Sequence, residues 1–117
     1  MKAYWCPYTL RFRFEARTSR QTMHVKDTWL VRIVDEEDGR EGVGECAMFR
    51  GLSAEDSLEY EDLLMAACRS FDPDRLPEQS SIRFGFETAL ANLAGRPDND
   101  FTRGKYPIYI NGLIWMV

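Results

Sequence analysis

Polar and apolar residues alternate strictly from Thr9 to Arg17. Leu10, Phe12, Phe14 and Ala16 fall on one side, and Thr9, Arg11, Arg13, Glu15 and Arg17 on the other. A period of two predicts a strand with one wet face. The polar run Thr18, Ser19, Arg20, Gln21 and Thr22 reads as a turn. A second strand is predicted over Thr28, Trp29, Leu30, Val31, Arg32, Ile33 and Val34, apolar on much of both faces and therefore suited to the centre of a sheet. The charged tip Asp35, Glu36, Glu37, Asp38 and Gly39 ends in Asp-Gly, a hairpin signal. A third strand is predicted over residues 41–47. Gly42 and Gly44 within it mark either a bulge or a close approach of another backbone. Three strands with local connections make an antiparallel meander.

The hydrophobic period then changes. Ser53 followed by Asp56 resembles a capping box and predicts a helix start. Tyr60, Leu63, Leu64, Ala67, Cys68 and Phe71 form one helical stripe. Asp72-Pro73 and Leu76-Pro77 break it. A second helix is predicted from Ser80 or Ser81, with Ile82, Phe86, Ala89, Leu90 and Leu93 along one side and Gly95 with Pro97 as its stop. Residues 98–105 read as loop. The expected fold class is α+β, a three-stranded antiparallel β-meander followed by a small helical bundle.

Residues 107–117 form a second kind of apolar run, β-prone and with no polar cap. An unpaired apolar strand is an aggregation hazard. The expected organisation is therefore a body at 1–106 and, at 107–117, the start of a further domain that is missing here. On that view the run is displaced, paired with another chain in a self-association, or folded back over apolar surface.

Composition narrows the function classes. The chain has 117 residues, 44% hydrophobic and 29% charged, which fits one globular domain. A formal net charge of -4 speaks against nucleic acid as a main partner. No apolar stretch approaches the roughly 20 residues of a membrane span. Cys6, Cys46 and Cys68 are odd in number and form no Cys-x-x-Cys, which suggests reduced thiols and a cytoplasmic location. With His24 the single histidine, a Cys/His zinc site is not expected.

Individual candidates for chemistry are modest. Glu45 reads first as a residue on a strand's wet face and second as a carboxylate facing a site. Glu87 has Arg83 one helical turn before it, an ordinary surface pair. His24 has no evident partner, and Cys46 has no histidine to activate it. Two loops stand apart. Residues 16–23 carry Arg17 and Arg20 among small hydroxyl residues, and residues 47–52 combine Met48, Phe49, Arg50, Gly51 and Leu52. Two readings fit them equally. The loops close over an anionic ligand with apolar parts, or Phe49 and Leu52 staple the first helix to the sheet while the arginines are solvated.

The strings Gly42-Val43-Gly44-Glu45-Cys46-Ala47, Phe49-Arg50-Gly51-Leu52-Ser53 and the helix from Ile82 to Leu93 resemble the N-terminal capping domain of the enolase superfamily, above all its muconate-lactonizing branch. The resemblance runs over nearly the whole chain. Asn92 stands where the family often has Asp, and Val117 where a glycine is expected. The resemblance implies an α+β cap paired with a C-terminal modified TIM barrel as its partner domain. In that barrel acidic residues hold Mg²⁺ and two lysines act as acid and base. It implies no catalytic residue and no metal ligand in this chain, which by itself is expected to be inactive. The activity implied is a carbon–oxygen lyase reaction through a metal-stabilised enediolate. Carried over residue by residue, the first family loop falls on 16–25 and the second on 48–52. Arg17, Ser19, Arg20, Phe49, Arg50 and Leu52 are then expected to line the cap side of a pocket for a small dicarboxylate that contains a ring. Two alternatives remain beside this reading. One is the cap of a sibling enzyme, a dipeptide epimerase or muconate cycloisomerase. The other is a standalone, self-associating binding module.

Overall fold

The computed structural model describes residues 1–112. Strands β1 (Lys2–Arg17), β2 (Thr22–Val34) and β3 (Glu41–Cys46) form one antiparallel sheet in that order, followed by helices α1 (Tyr60–Arg69) and α2 (Ser80–Ala94). This is the α+β meander-then-helices arrangement expected from the sequence.

Three rows of paired residues cross the sheet on its helix-facing side: Ala3–Ile33–Gly42, Trp5–Val31–Gly44 and Pro7–Trp29–Cys46. Trp29, Val31 and Ile33 are fully buried and pack with Tyr60, Leu64, Ile82, Phe86 and Ala89 into the core. Each row ends on β3 in a small residue, because α2 lies directly on that strand. A Cβ at Gly42 would stand 2.0 Å from the Ala89 carbonyl oxygen, and one at Gly44 would stand 1.9 Å from that of Gly85. A Cβ at Gly85 would in turn meet Cys46 Sγ at 2.4 Å. Of the two readings of the β3 glycines, the close backbone approach is the one realised. Asn92 adds to the same contact, its Oδ1 accepting the Val43 N–H at 2.9 Å.

Several expectations need correcting. The first strand begins at Lys2 rather than near Thr9, and Pro7 is accommodated because β1 is an edge strand. The alternating face of β1 is only partly covered. Ala16 is buried, but Leu10 and Phe14 are exposed. The reason is length: β3 pairs only with residues 29–34 of β2, so the outer half of the β1–β2 hairpin extends past the third strand. A register shift between Arg11 and Ala16 marks a bulge in that outer half. The first helix begins at Tyr60, not at Ser53. Ser53 and Asp56 bond backward into residues 49–51 and so fold a loop instead of capping a helix.

The second helix starts and stops as expected, with Gly95 at φ +93° after its last turn. Its N-cap residue, Gln79, makes no side-chain cap bond. Glu55, far upstream, does that work: it accepts the Ser80 hydroxyl at 2.5 Å, the Ser81 N–H at 3.2 Å and the Ser81 hydroxyl. A carboxylate there also complements the positive end of the helix dipole. Residues 107–112 form no strand, and Ile108, Tyr109 and Ile110 are exposed, Tyr109 at 94%. That departs from the strand expected at 107–117 and from a run folded back over apolar surface. Residues 113–117 of that run lie outside the described residues. Among the described residues, no helix is long and apolar enough to cross a membrane.

Candidate functional site

The first loop is shorter than its sequence suggests. Strand pairing continues to Arg17 opposite Thr22, leaving a tight turn at 18–21. Thr18 closes it: its N–H donates to the Gln21 carbonyl at 2.8 Å, and its hydroxyl oxygen accepts the Arg20 and Gln21 N–H groups at 3.2 Å each. This is a hydroxyl-closed turn of the kind Ser and Thr favour. Arg17 lies on the strand before the turn, and its guanidinium is held by Glu15 at 2.7 and 3.1 Å. The hydrogen bond from Arg17 lowers the Glu15 pKa, its charge adding to the effect. Ser19 and Arg20 are exposed at the tip, and among the described residues neither side chain has a hydrogen-bond or ion-pair partner.

The second loop is bonded throughout. Met48 is buried and anchors it. Ser53 Oγ accepts the Phe49 N–H at 2.9 Å, and Gly51 takes φ +75°, which a glycine supplies without strain. Asp56 accepts the Gly51 N–H at 2.7 Å and Arg50 Nη1 at 3.1 Å. Arg50 also donates to the Ser57 carbonyl at 3.3 Å and sits 5.0 Å from the centre of the Trp29 ring. Backbone bonding from Gly51, followed by Arg50, holds the Asp56 carboxyl below its ordinary range. Leu52 projects outward at 53% exposure.

Trp29 carries the loop into the core. Its Nε1 donates to Glu61 at 2.9 Å, its ring tilts against Tyr60 at 4.7 Å, and the Tyr60 hydroxyl meets Ser81 Oγ at 2.7 Å.

The two loops meet through a residue that sequence reasoning passed over. Lys26, on β2 just after the first loop, places its Nζ 4.5 Å from the centre of the half-buried Phe49 ring. A lysine in a polar stretch before a strand carries no signal of that contact. Of the six candidates, Ser19, Arg20 and Leu52 are open, Phe49 is covered on one side by Lys26, and Arg17 and Arg50 are engaged by Glu15 and Asp56. Among the described residues, Arg20 and Lys26 are the loop cations with no carboxylate partner, Lys26 donating instead to the Asp27 carbonyl at 3.4 Å.

The other candidates are unremarkable. Glu45 is exposed on β3, and Glu87 pairs with Arg83 at 3.0 Å. His24 lies 4.0 Å from Glu15 on the surface. All three thiols are free, and burial pushes the Cys46 thiol up to about 12, which keeps it protonated and unreactive. Among the described residues, no group of three or more His, Cys, Asp or Glu is placed to hold a metal ion. An open groove of about 750 Å³ runs along α1 and the 70–79 connection, and no residue of either loop lines it.

No protein-family model matches the chain. A curated o-succinylbenzoate synthase from Desulfotalea psychrophila is 32% identical over 149 residues, covering 92% of this chain and 40% of that protein. The crystal structure of MenC from Desulfotalea psychrophila superposes with a TM-score of 0.61 at 26% identity, over 100% of this chain and 42% of that one. An o-succinylbenzoate synthase from Thermosynechococcus elongatus, complexed with Mg in its active site, gives a TM-score of 0.61 at 21% identity, over 83% of this chain and 31% of that one, a likeness of fold. The chain thus spans about two-fifths of the length of the curated relative it matches. In sequence and fold the chain is thus similar to o-succinylbenzoate synthases, which is consistent with the N-terminal capping domain of the enolase superfamily that its motifs resemble.

Proposed function

We propose that the chain is the substrate-capping domain of an o-succinylbenzoate synthase. The full enzyme would dehydrate 2-succinyl-6-hydroxy-2,4-cyclohexadiene-1-carboxylate to o-succinylbenzoate, a step of menaquinone biosynthesis. The observation that carries this reading is the 32% identity to an o-succinylbenzoate synthase across 92% of the chain. In this reading residues 1–106 are the cap, and residues 107–117 lead into a C-terminal barrel that holds Mg²⁺ and the acid and base. The described residues offer no metal site of their own, and no catalytic step is assigned to them. In this reading the chain is inactive by itself, because the metal, the acid and the base belong to the barrel.

The cap's part is to bind, orient and exclude water. Arg17, Ser19, Arg20, Phe49, Arg50 and Leu52 line its side of the pocket. The substrate has two carboxylates and a ring. Arg20 supplies an open guanidinium fork for a carboxylate, and Lys26, seated over Phe49, supplies a second cation with no carboxylate beside it among the described residues. Phe49 and Leu52 supply apolar surface for the ring. The test is turnover by the full-length protein, followed by the appearance of the aromatic product. Turnover of a dipeptide or a muconate, with none of the cyclohexadiene, would assign the cap to a sibling enzyme instead.

A further inference from the structure

Glu55 and Asp56 are neighbours whose carboxylates bind in different directions. Asp56 closes the second loop on its own beginning, through the Gly51 N–H at 2.7 Å and Arg50 at 3.1 Å. Glu55 fastens the end of the same loop to the start of α2, through Ser80 and both the N–H and the hydroxyl of Ser81. Arg50, which sequence reasoning would offer to a ligand, is held by Asp56, the Ser57 carbonyl and the face of Trp29.

Ion pairs on an open surface contribute little. These carboxylates differ, because each also receives backbone N–H groups that the loop or the helix end would otherwise leave without a protein partner. The loop is therefore a braced wall between the sheet and α2. The first loop's tip is closed by Thr18, which bonds to Arg20 and Gln21 within the turn.

We infer that Glu55 and Asp56 are positioning residues for substrate. They fix residues 49–57 so that Phe49 and Leu52 meet the ligand, while Arg50 serves as an internal brace. The inference rests on the capping reading and assigns its contacts: binding at the second loop is through apolar surface, and the anion contacts fall to the first loop and Lys26.

Asp56→Ala in the full-length protein tests it, because the loop can loosen while Glu55 still caps α2. Gly51 amide exchange should speed up, and KM should rise about tenfold with kcat changed by less than about twofold. Asp56→Asn keeps an oxygen for the Gly51 N–H and should restore KM to within about twofold of the parent. A merely structural role would lower the Tm of Asp56→Ala without moving KM. Unchanged Gly51 exchange, or faster exchange with unchanged KM, overturns the inference. Wild-type turnover of a dipeptide or a muconate in place of the cyclohexadiene overturns the substrate assignment alone, since the KM ratio on that substrate still decides the bracing. A wild-type protein inert to all three overturns both.

Discussion

Alanine at Gly44 would put a methyl group 1.9 Å from the Gly85 carbonyl oxygen, 2.6 Å from Thr88 Oγ1 and 2.9 Å from the Ala89 nitrogen. Two of these three neighbours are backbone atoms of a helix, so no side chain can swing aside to make room. Ordinary contact needs roughly 3.5 Å, and α2 would have to lift by more than 1 Å from β3. That lift would part Gly85 from Cys46 and Phe86 from the core beneath it. Overpacking a core costs about 1–3 kcal/mol, and a clash with rigid backbone belongs at or above the upper end. About 3 kcal/mol is a large fraction of the 5–15 kcal/mol that holds a typical domain together. For a domain of this size it corresponds to a fall in Tm of roughly 10–20 °C. Denaturant unfolding followed by tryptophan fluorescence gives the measurement, with a lower midpoint and an unchanged slope as the expected signature. Gly51→Ala is the control: its Cβ meets nothing within 4 Å, so its cost should be only that of holding alanine at φ +75°, about 1–2 kcal/mol. A Gly44→Ala protein within about 0.5 kcal/mol of the parent would refute the direct seating of α2 on β3.

Glu55 should make stability depend on pH. Burial opposes its ionisation, but hydrogen bonds from Ser80 and Ser81 outweigh this and lower its pKa. Its contribution is therefore present above the ordinary carboxylate pKa and is lost as pH falls through the lowered folded value; Glu55→Gln should flatten that part of the pH–stability profile. In the full-length protein, Arg20→Ala and Phe49→Ala should each raise KM or slow closure without abolishing the chemistry. If both variants leave kcat and KM unchanged in steady-state assays, the cap assignment fails. Thiol titration should show Cys6 reacting promptly in the native state, with Cys46 and Cys68 reacting only on unfolding, because burial raises their pKa values to about 12 and about 11.

The meander and the second helix were legible because local signals agree there. Trp29, Val31 and Ile33 alternate on one side of a strand, Asp-Gly marks the turn, and Gly95 ends the helix. Gly42 and Gly44 announced that something approaches β3, although only the fold shows that it is α2. The failures have one physical cause. Ser53 and Asp56 carry the residue types of a helix cap, but a hydroxyl and a carboxylate bond equally well to a loop's own N–H groups. The acceptor that does cap a helix, Glu55, serves Ser80 and Ser81 from 25 and 26 positions away, a separation that no local pattern records. Leu10 and Phe14 read as core because they alternate, yet the pattern cannot tell that β3 is too short to cover them. In the candidate site, sequence located both loops but not their internal bonding. It offered Arg17 and Arg50 as free cations, and only the structure shows Glu15 and Asp56 beside them.

A division of labour between the loops follows from that bonding. The first loop's turn is closed within four residues, so Ser19 and Arg20 can be exchanged without disturbing the sheet beneath them. The second loop is continuous with the core through a chain of contacts: Asp56 to Arg50, Arg50 to Trp29, Trp29 to Tyr60 and Glu61, Tyr60 to Ser81, and Ser81 to Glu55. Within it Leu52 projects outward, clear of that chain. Changes that alter ligand preference at low cost to folding should therefore fall on Ser19, Arg20 and Leu52. Changes at Arg50, Glu55 or Asp56 should couple ligand binding to stability. Double-mutant cycles measure the difference. Arg50→Ala with Asp56→Ala should be non-additive in stability by at least about 0.5 kcal/mol, whereas Arg20→Ala with Leu52→Ala should add. Additivity in the first pair would mean that the brace does not exist.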